Sequence, residues 1–166
     1  MMIRDAEPGE REIVVELTRL AYAEFKSVMT PVTWRGLSNA IEAALANSGP
    51  AEIIVATDRE KIVGCVFLYP GGSSPYPGAP PLAEPEFRLL SVSPGHRGHG
   101  VGRALVAECI RRSKMAGAKA LGLHTSVSFH DAIALYRKMS FERVPERDFR
   151  PVEAEVVEAY RLPLSS

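Results

Sequence analysis

A glycine-rich turn, SVSPGHRGHGVGRAL, spans residues 91–105 and contains the residue types that bind phosphate groups. Its four glycines and two arginines, Arg97 and Arg103, lie between an apolar segment and the start of a helical pattern. Glycine lets a ligand approach the backbone without interference from a Cβ atom. The first N–H groups of a helix have no partners within it, and the helix dipole makes that end positive. The turn therefore predicts a cradle for a pyrophosphate, with a tight strand-to-helix connection needed only for packing as the alternative.

Two well-known phosphate-binding patterns do not fit this turn. A dinucleotide fingerprint requires GxGxxG, but after Gly98 and Gly100 the third glycine is replaced by Arg103. A P-loop requires a lysine after its last glycine; Gly95 and Gly100 have the right spacing, but Val101 follows them. A nucleotide-binding domain of either kind is therefore disfavoured.

The composition is that of a globular protein with one core. The chain has 166 residues, of which 46% are hydrophobic and 24% are charged, which predicts a single domain over residues 1–166. Twenty basic and twenty acidic residues give a formal net charge of zero. A general nucleic-acid binder would need a surplus of basic charge, so we expect no nucleic-acid partner.

The cysteines and histidines do not indicate a metal centre. Cys65 and Cys109 each lie in an apolar segment, which predicts reduced thiols in the core. The four histidines form no recognised ligand spacing, so we expect no metal.

No signal peptide and no stretch of 18 apolar residues is present, which predicts a cytoplasmic protein with no membrane partner.

The order of predicted elements indicates an α/β (α+β) fold, in which a mixed sheet carries helices on both faces. Four segments have apolar residues at helical spacing, and seven short segments have the apolar composition of strands. Helices are predicted at residues 10–28, 33–46, 100–115 and 130–141. Strands are predicted at residues 3–6, 51–58, 61–70, 86–93, 120–126, 141–144 and 156–162.

A segment rich in proline and glycine interrupts these elements at residues 70–85. Six prolines and three glycines exclude a regular helix or an interior strand. Two interpretations remain open, an unstructured connection and a lid over an active site.

Two motifs resemble those of the GNAT superfamily, the acetyl-CoA-dependent N-acetyltransferases. The pattern R-x-x-G-x-G at residues 97–102 follows the strand LLSVSP and opens the helix VGRALVAECI, as in the family's motif A. About 35 residues further on, AIALYRKMSF resembles motif B, A-I-x-L-Y-x-K-x-G-F. The element order matches over nearly the whole chain. The resemblance implies a single, mostly antiparallel sheet of about six to seven strands with a splayed fourth strand, and members often form a homodimer.

The resemblance also implies an activity and a cosubstrate. An acetyl group would pass from acetyl-CoA directly to a primary amine of an unidentified small molecule or protein. Backbone groups of the splayed strand would hold the pantetheine arm, and the amide of Val92 would polarise the thioester carbonyl. The cofactor-binding positions implied in this way are Leu90, Ser91, Val92, Arg97, Gly98, His99, Gly100, Val101, Gly102 and Arg103.

Proton transfer requires an acid and a base. Tyr136 aligns with the family's tyrosine, whose hydroxyl acts as the general acid toward the leaving thiolate; packing in the core is the alternative. Glu86 matches a glutamate that some protein-acetylating members carry, and strand alternation predicts residues 86, 88, 90 and 92 on one face. An ordinary solvated carboxylate is the alternative for Glu86, while Glu84, His124 or a chain of waters are rival bases.

The sequence also departs from the family at two positions. Ser140 replaces the usual glycine before Phe141, and Phe129 replaces an asparagine that contacts the cofactor or orders the tyrosine helix. Position 129 is therefore a predicted cofactor-binding position at which Phe129 has an aromatic ring in place of an amide side chain. These departures favour the alternative function, a catalytically silent acyl-CoA sensor, whereas the presence of Tyr136 opposes it.

Four aromatic residues are candidates for the wall that would contact the acceptor: Tyr22, Phe25, Trp34 and Tyr76.

Overall fold

A mixed sheet forms the centre of the molecule in a computed structural model, which describes residues 1–151 and 154–165. Within those residues the sheet has seven strands in the order β1-β2-β3-β4-β5-β7-β6, and every neighbouring pair is antiparallel except β4 and β5. The predicted mixed, mostly antiparallel sheet is thus confirmed. The strands are β1 Met2–Asp5, β2 Glu52–Asp58, β3 Lys61–Tyr69, β4 Glu86–Val92, β5 Ala120–Ser126, β6 Glu142–Arg143 and β7 Val157–Pro163.

In the described part of the chain, four α-helices flank the sheet: α1 Arg11–Ala23, α2 Pro31–Ala46, α3 Val101–Met115 and α4 His130–Lys138. The first predicted helix is shorter than expected, because after Ala23 the chain tightens into a 3₁₀ turn at Glu24–Ser27. Helix α2 begins earlier than predicted. Thr30 caps it by accepting a hydrogen bond from the Thr33 N–H, 3.2 Å away, and proline is tolerated at the first helical position.

The helices cover both faces of the sheet and bury two apolar clusters. Helices α3 and α4 pack on one face, where Leu105 and Tyr136 meet Leu121 and other strand residues. Helices α1 and α2 pack on the other, where Val14 and Ile41 are typical contacts. Strand β3 is covered on both faces, so its residues are buried in succession rather than alternately.

Both cysteines are free thiols in these two clusters. Cys65 and Cys109 are fully buried, as predicted. Burial raises the pKa of the Cys65 thiol to about 11 and that of Cys109 to about 12, so neither is a thiolate near neutral pH. No helix in the described part of the chain combines the length and the apolar character needed to cross a membrane.

Strand β4 contains a β-bulge that changes which side chains share a face. Arg88 pairs with Phe67 and Ser91 pairs with Cys65, so two residues of β4 lie opposite one residue of β3. Leu89 has a positive φ of 55° at this point. Leu90 therefore packs in the cluster beneath α3 together with Phe87. The expectation that residues 86, 88, 90 and 92 project from one face is wrong, because the extra residue inverts the alternation.

The parallel strands β4 and β5 diverge soon after they meet. Their only pairing in the described residues joins Glu86 to Gly122, supported by a hydrogen bond of 3.0 Å from the Gly122 N–H to the Pro85 carbonyl. Beyond Glu86 the edge of β4 that faces β5 has no strand partner. The predicted splay of the fourth strand is confirmed.

The segment at residues 70–85 is a loop closed by its own backbone. The Gly72 N–H donates to the Leu82 carbonyl over 2.7 Å, and the Leu82 N–H donates to the Ser73 carbonyl over 3.0 Å. A Cβ atom at Gly71 would lie 2.2 Å from the Ala83 carbonyl oxygen, so glycine is required there. These contacts favour a defined loop over an unstructured connection, while its role as a lid stays a prediction.

Ser140 follows helix α4 in a left-handed conformation, with φ of 73°. This conformation costs a residue with a Cβ atom about 1–2 kcal/mol, which explains why the motif usually has glycine there. We expect Ser140→Gly to stabilise the protein by about 1 kcal/mol. For a chain of this size, that raises the thermal midpoint by roughly 2–4 °C.

Ser140→Ala is the matched control, since it removes the hydroxyl but keeps the Cβ atom. It should leave the midpoint close to that of the wild type in the same thermal scan. A midpoint that falls in Ser140→Gly would show that the serine side chain contributes more than its backbone conformation costs.

Candidate active site

A cavity of about 880 Å³ opens where β4 and β5 diverge. It is lined by the end of α1, by β4 and β5, by the glycine-rich turn and by the start of α4. Two predicted cofactor-binding residues are not in its wall: Ser91, whose buried hydroxyl donates to the Leu89 carbonyl, and the exposed His99. The predicted binding residues that line it are Leu90, Val92, Arg97, Gly98, Gly100, Val101, Gly102, Arg103 and Phe129.

The glycine-rich turn presents its backbone N–H groups to this cavity. Gly98 and Gly100 have positive φ values of 77° and 81°, and helix α3 begins immediately after them at Val101. No described residue accepts a hydrogen bond from the N–H groups of residues 97–103. Apart from the adjoining residues in the chain, no described residue has an atom within 4 Å of the position that a Cβ atom would take at Gly98 or Gly100. This open set of donors at a helix N-terminus fits a pyrophosphate, which is the group that coenzyme A would place there.

Arg97 contributes less charge to the turn than the sequence suggested. Its Nη1 atom lies 2.7 Å from both carboxylate oxygens of Glu24, and Nη2 donates to the Ala21 carbonyl over 3.1 Å. The guanidinium group therefore ties the turn to the end of α1 instead of standing free beside it. Arg103 is exposed and has no ion pair with any described residue, so its charge is available.

Tyr136 reaches the cavity from helix α4 and is held by other aromatic rings. Its ring contacts Phe87 edge-on, with centroids 5.6 Å apart, and lies 6.0 Å from Phe141. Burial raises the pKa of the Tyr136 hydroxyl well above its usual value. The phenol is therefore protonated at neutral pH, as a general acid must be.

Glu86 is a buried carboxylate and not an ordinary solvated one. It is only 4% exposed, and its Oε1 atom lies 2.9 Å from Nδ1 of His124. Nε2 of His124 lies 3.1 Å from the Arg147 carbonyl oxygen. His124 lines the cavity and Glu86 lies behind it. Both ring nitrogens face acceptors, so in this arrangement neither nitrogen has a free lone pair for an incoming amine.

The rival base Glu84 is engaged in ion pairs away from the cavity wall. It lies 3.1 Å from Nη1 of Arg147 and 2.8 Å from Nε of Arg161. Burial alone would raise its pKa, but the hydrogen bonds from Arg161 and Arg147 outweigh that effect and lower the pKa. A carboxylate with a lowered pKa is a poorer proton acceptor, which disfavours Glu84.

Three aromatic rings close one end of the cavity. The centroids of Phe25 and Phe129 are 4.5 Å apart, and those of Tyr22 and Phe129 are 5.6 Å apart. The Tyr22 hydroxyl donates to the Leu90 carbonyl over 3.0 Å. Phe129 thus packs against the wall formed by α1 and its 3₁₀ turn, in place of the polar contacts of an asparagine.

The other two candidate wall residues do not line the cavity. Trp34 lies on α2, and Tyr76 stacks on Phe149 with ring centroids 4.1 Å apart.

One residue that lines the cavity, Arg88, was not predicted from the sequence. The signal was present in the strand EFRLL, where a charged residue interrupts an apolar run.

A metal-dependent site finds no support in the arrangement of these side chains. Across residues 1–151 and 154–165, no group of three or more histidine, cysteine, aspartate or glutamate side chains is placed to hold a metal ion.

Similarity to known proteins covers most of the chain. Residues 15–141 match the model of the Acetyltransferase (GNAT) family. N-acetyltransferase family 8 member 3 of Rattus norvegicus is 34% identical over 94 residues, which are 55% of this chain and 39% of the relative. The matched region is thus about two fifths of that curated relative's length.

Solved structures share the fold at low sequence identity. One from Corynebacterium glutamicum, described as histone acetyltransferase HPA2 and related acetyltransferase, has a TM-score of 0.72 at 21% identity, covering 99% of this chain and 97% of its own. The yncA putative acetyltransferase of Salmonella typhimurium, solved with acetyl-CoA, has a TM-score of 0.66 at 17% identity, covering 100% and 95%. The splayed strands, the glycine-rich turn and the family match agree: this chain belongs to the Acetyltransferase (GNAT) family.

Proposed function

We propose that residues 1–166 form one N-acetyltransferase domain that transfers an acetyl group from acetyl-CoA to a primary amine. Val152, Glu153 and Ser166 of that range lie outside the described residues. The observation that carries the proposal is the convergence of three features on one cavity: the splayed edge of β4, the free N–H groups of residues 97–103, and Tyr136. Acetyl-CoA complexes of structural relatives support the choice of cosubstrate.

The binding roles follow from backbone geometry. The N–H groups of residues 97–103 would hold the pyrophosphate, with Arg103 adding positive charge. The unpaired edge of β4 at Leu90–Val92 would hold the pantetheine arm in the manner of an added strand. Ser91 and His99 stay predictions as binding residues, since neither residue lines the cavity.

The bound thioester supplies an activated acetyl group. The amine nitrogen bonds to its carbonyl carbon, and the carbon–sulfur bond breaks. The products are an amide and a free thiol. Tyr136 lines the cavity, and its hydroxyl donates the proton that the departing sulfur needs. The backbone N–H of Val92 hydrogen-bonds the carbonyl oxygen as charge develops on it.

Glu86 accepts the proton that the amine loses, and it does so through His124. Glu86 is buried behind the wall and His124 is in the wall, with 2.9 Å between Oε1 and Nδ1. For this transfer Nε2 must leave the Arg147 carbonyl, 3.1 Å away, and carry no proton. It then takes the proton of the amine while Nδ1 gives its own proton to Oε1 of Glu86. Direct contact between Glu86 and the amine is disfavoured by its burial.

A catalytically silent acyl-CoA sensor is the second candidate. The observation that favours it is the engagement of both His124 nitrogens, which leaves His124 no free lone pair for an incoming amine. The sensor would retain the turn and the splayed edge of β4 but would need neither Tyr136 nor Glu86.

Thermal unfolding in the presence of acetyl-CoA, ATP and NAD tests the ligand assignment. A ligand at 100 times its dissociation constant adds about 2.7 kcal/mol of stability. For a chain of this size that raises the midpoint by roughly 5–10 °C. We expect this shift with acetyl-CoA and not with ATP or NAD.

Release of free thiol in the presence of primary amines then separates the two functions. Binding of acetyl-CoA without turnover of any amine would support the sensor. An equal midpoint shift with ATP, or none with acetyl-CoA, would overturn both candidates.

A further inference from the structure

Arg88 is a charged group in the cavity wall whose hydrogen-bonding capacity is only partly used. Its Nη2 atom donates to the Ser74 carbonyl over 2.9 Å, and its guanidinium lies 4.1 Å above the centre of the Tyr69 ring. Nε is buried, and no described residue accepts a hydrogen bond from it. The nearest carboxylate oxygen, Oε1 of Glu86, is 3.5 Å from Nε but poorly aligned for a hydrogen bond.

The carboxylates near Arg88 are committed to other partners. Glu86 makes its close contact with His124, over 2.9 Å. Glu84 is paired with two other arginines. Among the residues that line the cavity, Glu24 is held by Arg97, and Asp131 lies at the start of α4. The Arg88 guanidinium therefore shares the Glu86 carboxylate with His124, and no described residue accepts a hydrogen bond from its Nη1 atom, which leaves that donor for an acceptor supplied by a ligand.

The position of Arg88 on β4 relates it to the site of acetyl transfer. Arg88 and Leu90 line the same cavity on either side of the bulge at Leu89. A group bound to Arg88 therefore lies in the cavity that would contain the acetyl group. Stacking on Tyr69 fixes the plane of the guanidinium, which favours the planar fork geometry that carboxylates match.

We propose that Arg88 binds the carboxylate of the acceptor, and that the acceptor is an α-amino acid with a free carboxylate. This inference rests on the proposed acetyl transfer to an amine. In an α-amino acid the amine and the carboxylate share one carbon, so a carboxylate held by Arg88 fixes the position of the amine. The guanidinium would orient the amine toward the reaction centre and exclude amines that lack the anionic group.

The test compares the proteinogenic amino acids with their carboxamides and decarboxylated amines, with phenylalanine, phenylalaninamide and phenethylamine as one such set. Thiol release gives kcat and KM for each acceptor in the wild type and in Arg88→Gln. We expect Arg88→Gln to raise KM for the amino acid by about 10- to 100-fold, the usual effect of losing a charged hydrogen-bond pair. KM for the amide and the amine should change less than about twofold, since neither makes that pair. Each ratio is taken between variant and wild type for one acceptor, so differences in amine basicity cancel.

Two further variants make the comparison specific. Arg88→Lys keeps the charge but loses the planar fork, so it should recover only part of the affinity for the amino acid. Arg111→Gln is the control, because Arg111 is exposed near the far end of α3 and pairs with Glu108 over 2.7 Å. It should leave all three KM values unchanged.

The outcomes distinguish this inference from the function on which it rests. An equal rise in KM for all three acceptors would assign Arg88 to anchoring the loop through Ser74, and would overturn the inference. Acetyl-CoA binding without turnover of any amino acid would also overturn it, while leaving the cosubstrate assignment intact. Failure to bind acetyl-CoA would instead overturn the proposed function itself.

Discussion

Tyr136→Phe should lower kcat by about 100-fold or more, the usual contribution of a general acid. KM for acetyl-CoA and the thermal midpoint should change little, because phenylalanine retains the ring contacts with Phe87 and Phe141. Thiol release under saturating substrates measures kcat, and thermal scans measure stability. Tyr160→Phe is the control, since Tyr160 is a buried tyrosine on β7 that does not line the cavity. Unchanged kcat in Tyr136→Phe would remove the general-acid assignment.

Glu86→Gln tests the proposed base, Glu86, in the same thiol-release assay. We expect lower kcat with unchanged KM for acetyl-CoA. The loss should shrink as pH rises, because more of the acceptor amine then arrives already deprotonated. A loss that does not vary with pH, together with a lower thermal midpoint, would instead assign Glu86 to holding His124 in place.

Gly100→Ala should weaken acetyl-CoA binding by about 10-fold or more, which is the usual effect of disturbing a hydrogen bond to a charged group. It should also cost about 1–2 kcal/mol of stability, because alanine at a φ of 81° is strained. Calorimetric titration measures the first effect and thermal unfolding the second. A loss of stability in Gly100→Ala therefore does not argue against the phosphate cradle.

Gly117→Ala separates the two effects, because Gly117 lies just beyond the other end of α3. It has a φ of 76°, and no atom lies within 4 Å of its Cβ position, so the backbone strain matches that at Gly100. We expect the same loss of stability and unchanged acetyl-CoA affinity. Equal losses of affinity in both variants would show that strain in α3, and not the cradle, weakens binding.

The sequence was most informative where local chemistry determines structure. The glycines at residues 98 and 100 predicted a backbone turn before a helix, and both glycines take the left-handed conformation that only they adopt without strain. Apolar runs predicted the strands because burial on both faces of the sheet requires them. The resemblance to motif B located Tyr136 on a helix whose inner face lines the cavity.

The contacts that define the rest of the site join residues far apart in the chain, and no local pattern marks them. His124 meets Glu86 from 38 positions away, and Arg97 meets Glu24 from 73 positions away. The bulge at Leu89 was also invisible, since it uses a positive φ at a residue that does not favour one. A strand predicted by alternation alone therefore assigned Leu90 and Val92 to the wrong face.

In the proposed acetyl transfer, the ion pair between Arg97 and Glu24 would link the binding of acetyl-CoA thermodynamically to the binding of the acceptor. It joins the turn that would hold the pyrophosphate to the end of α1, which contributes Tyr22 and Phe25 to the cavity wall. A bound pyrophosphate that draws Arg97 away from Glu24 changes the conformational free energy of the wall that contains Tyr22 and Phe25. Such coupling is reciprocal, so the acceptor then alters the affinity for acetyl-CoA by the same factor that acetyl-CoA alters the affinity for the acceptor.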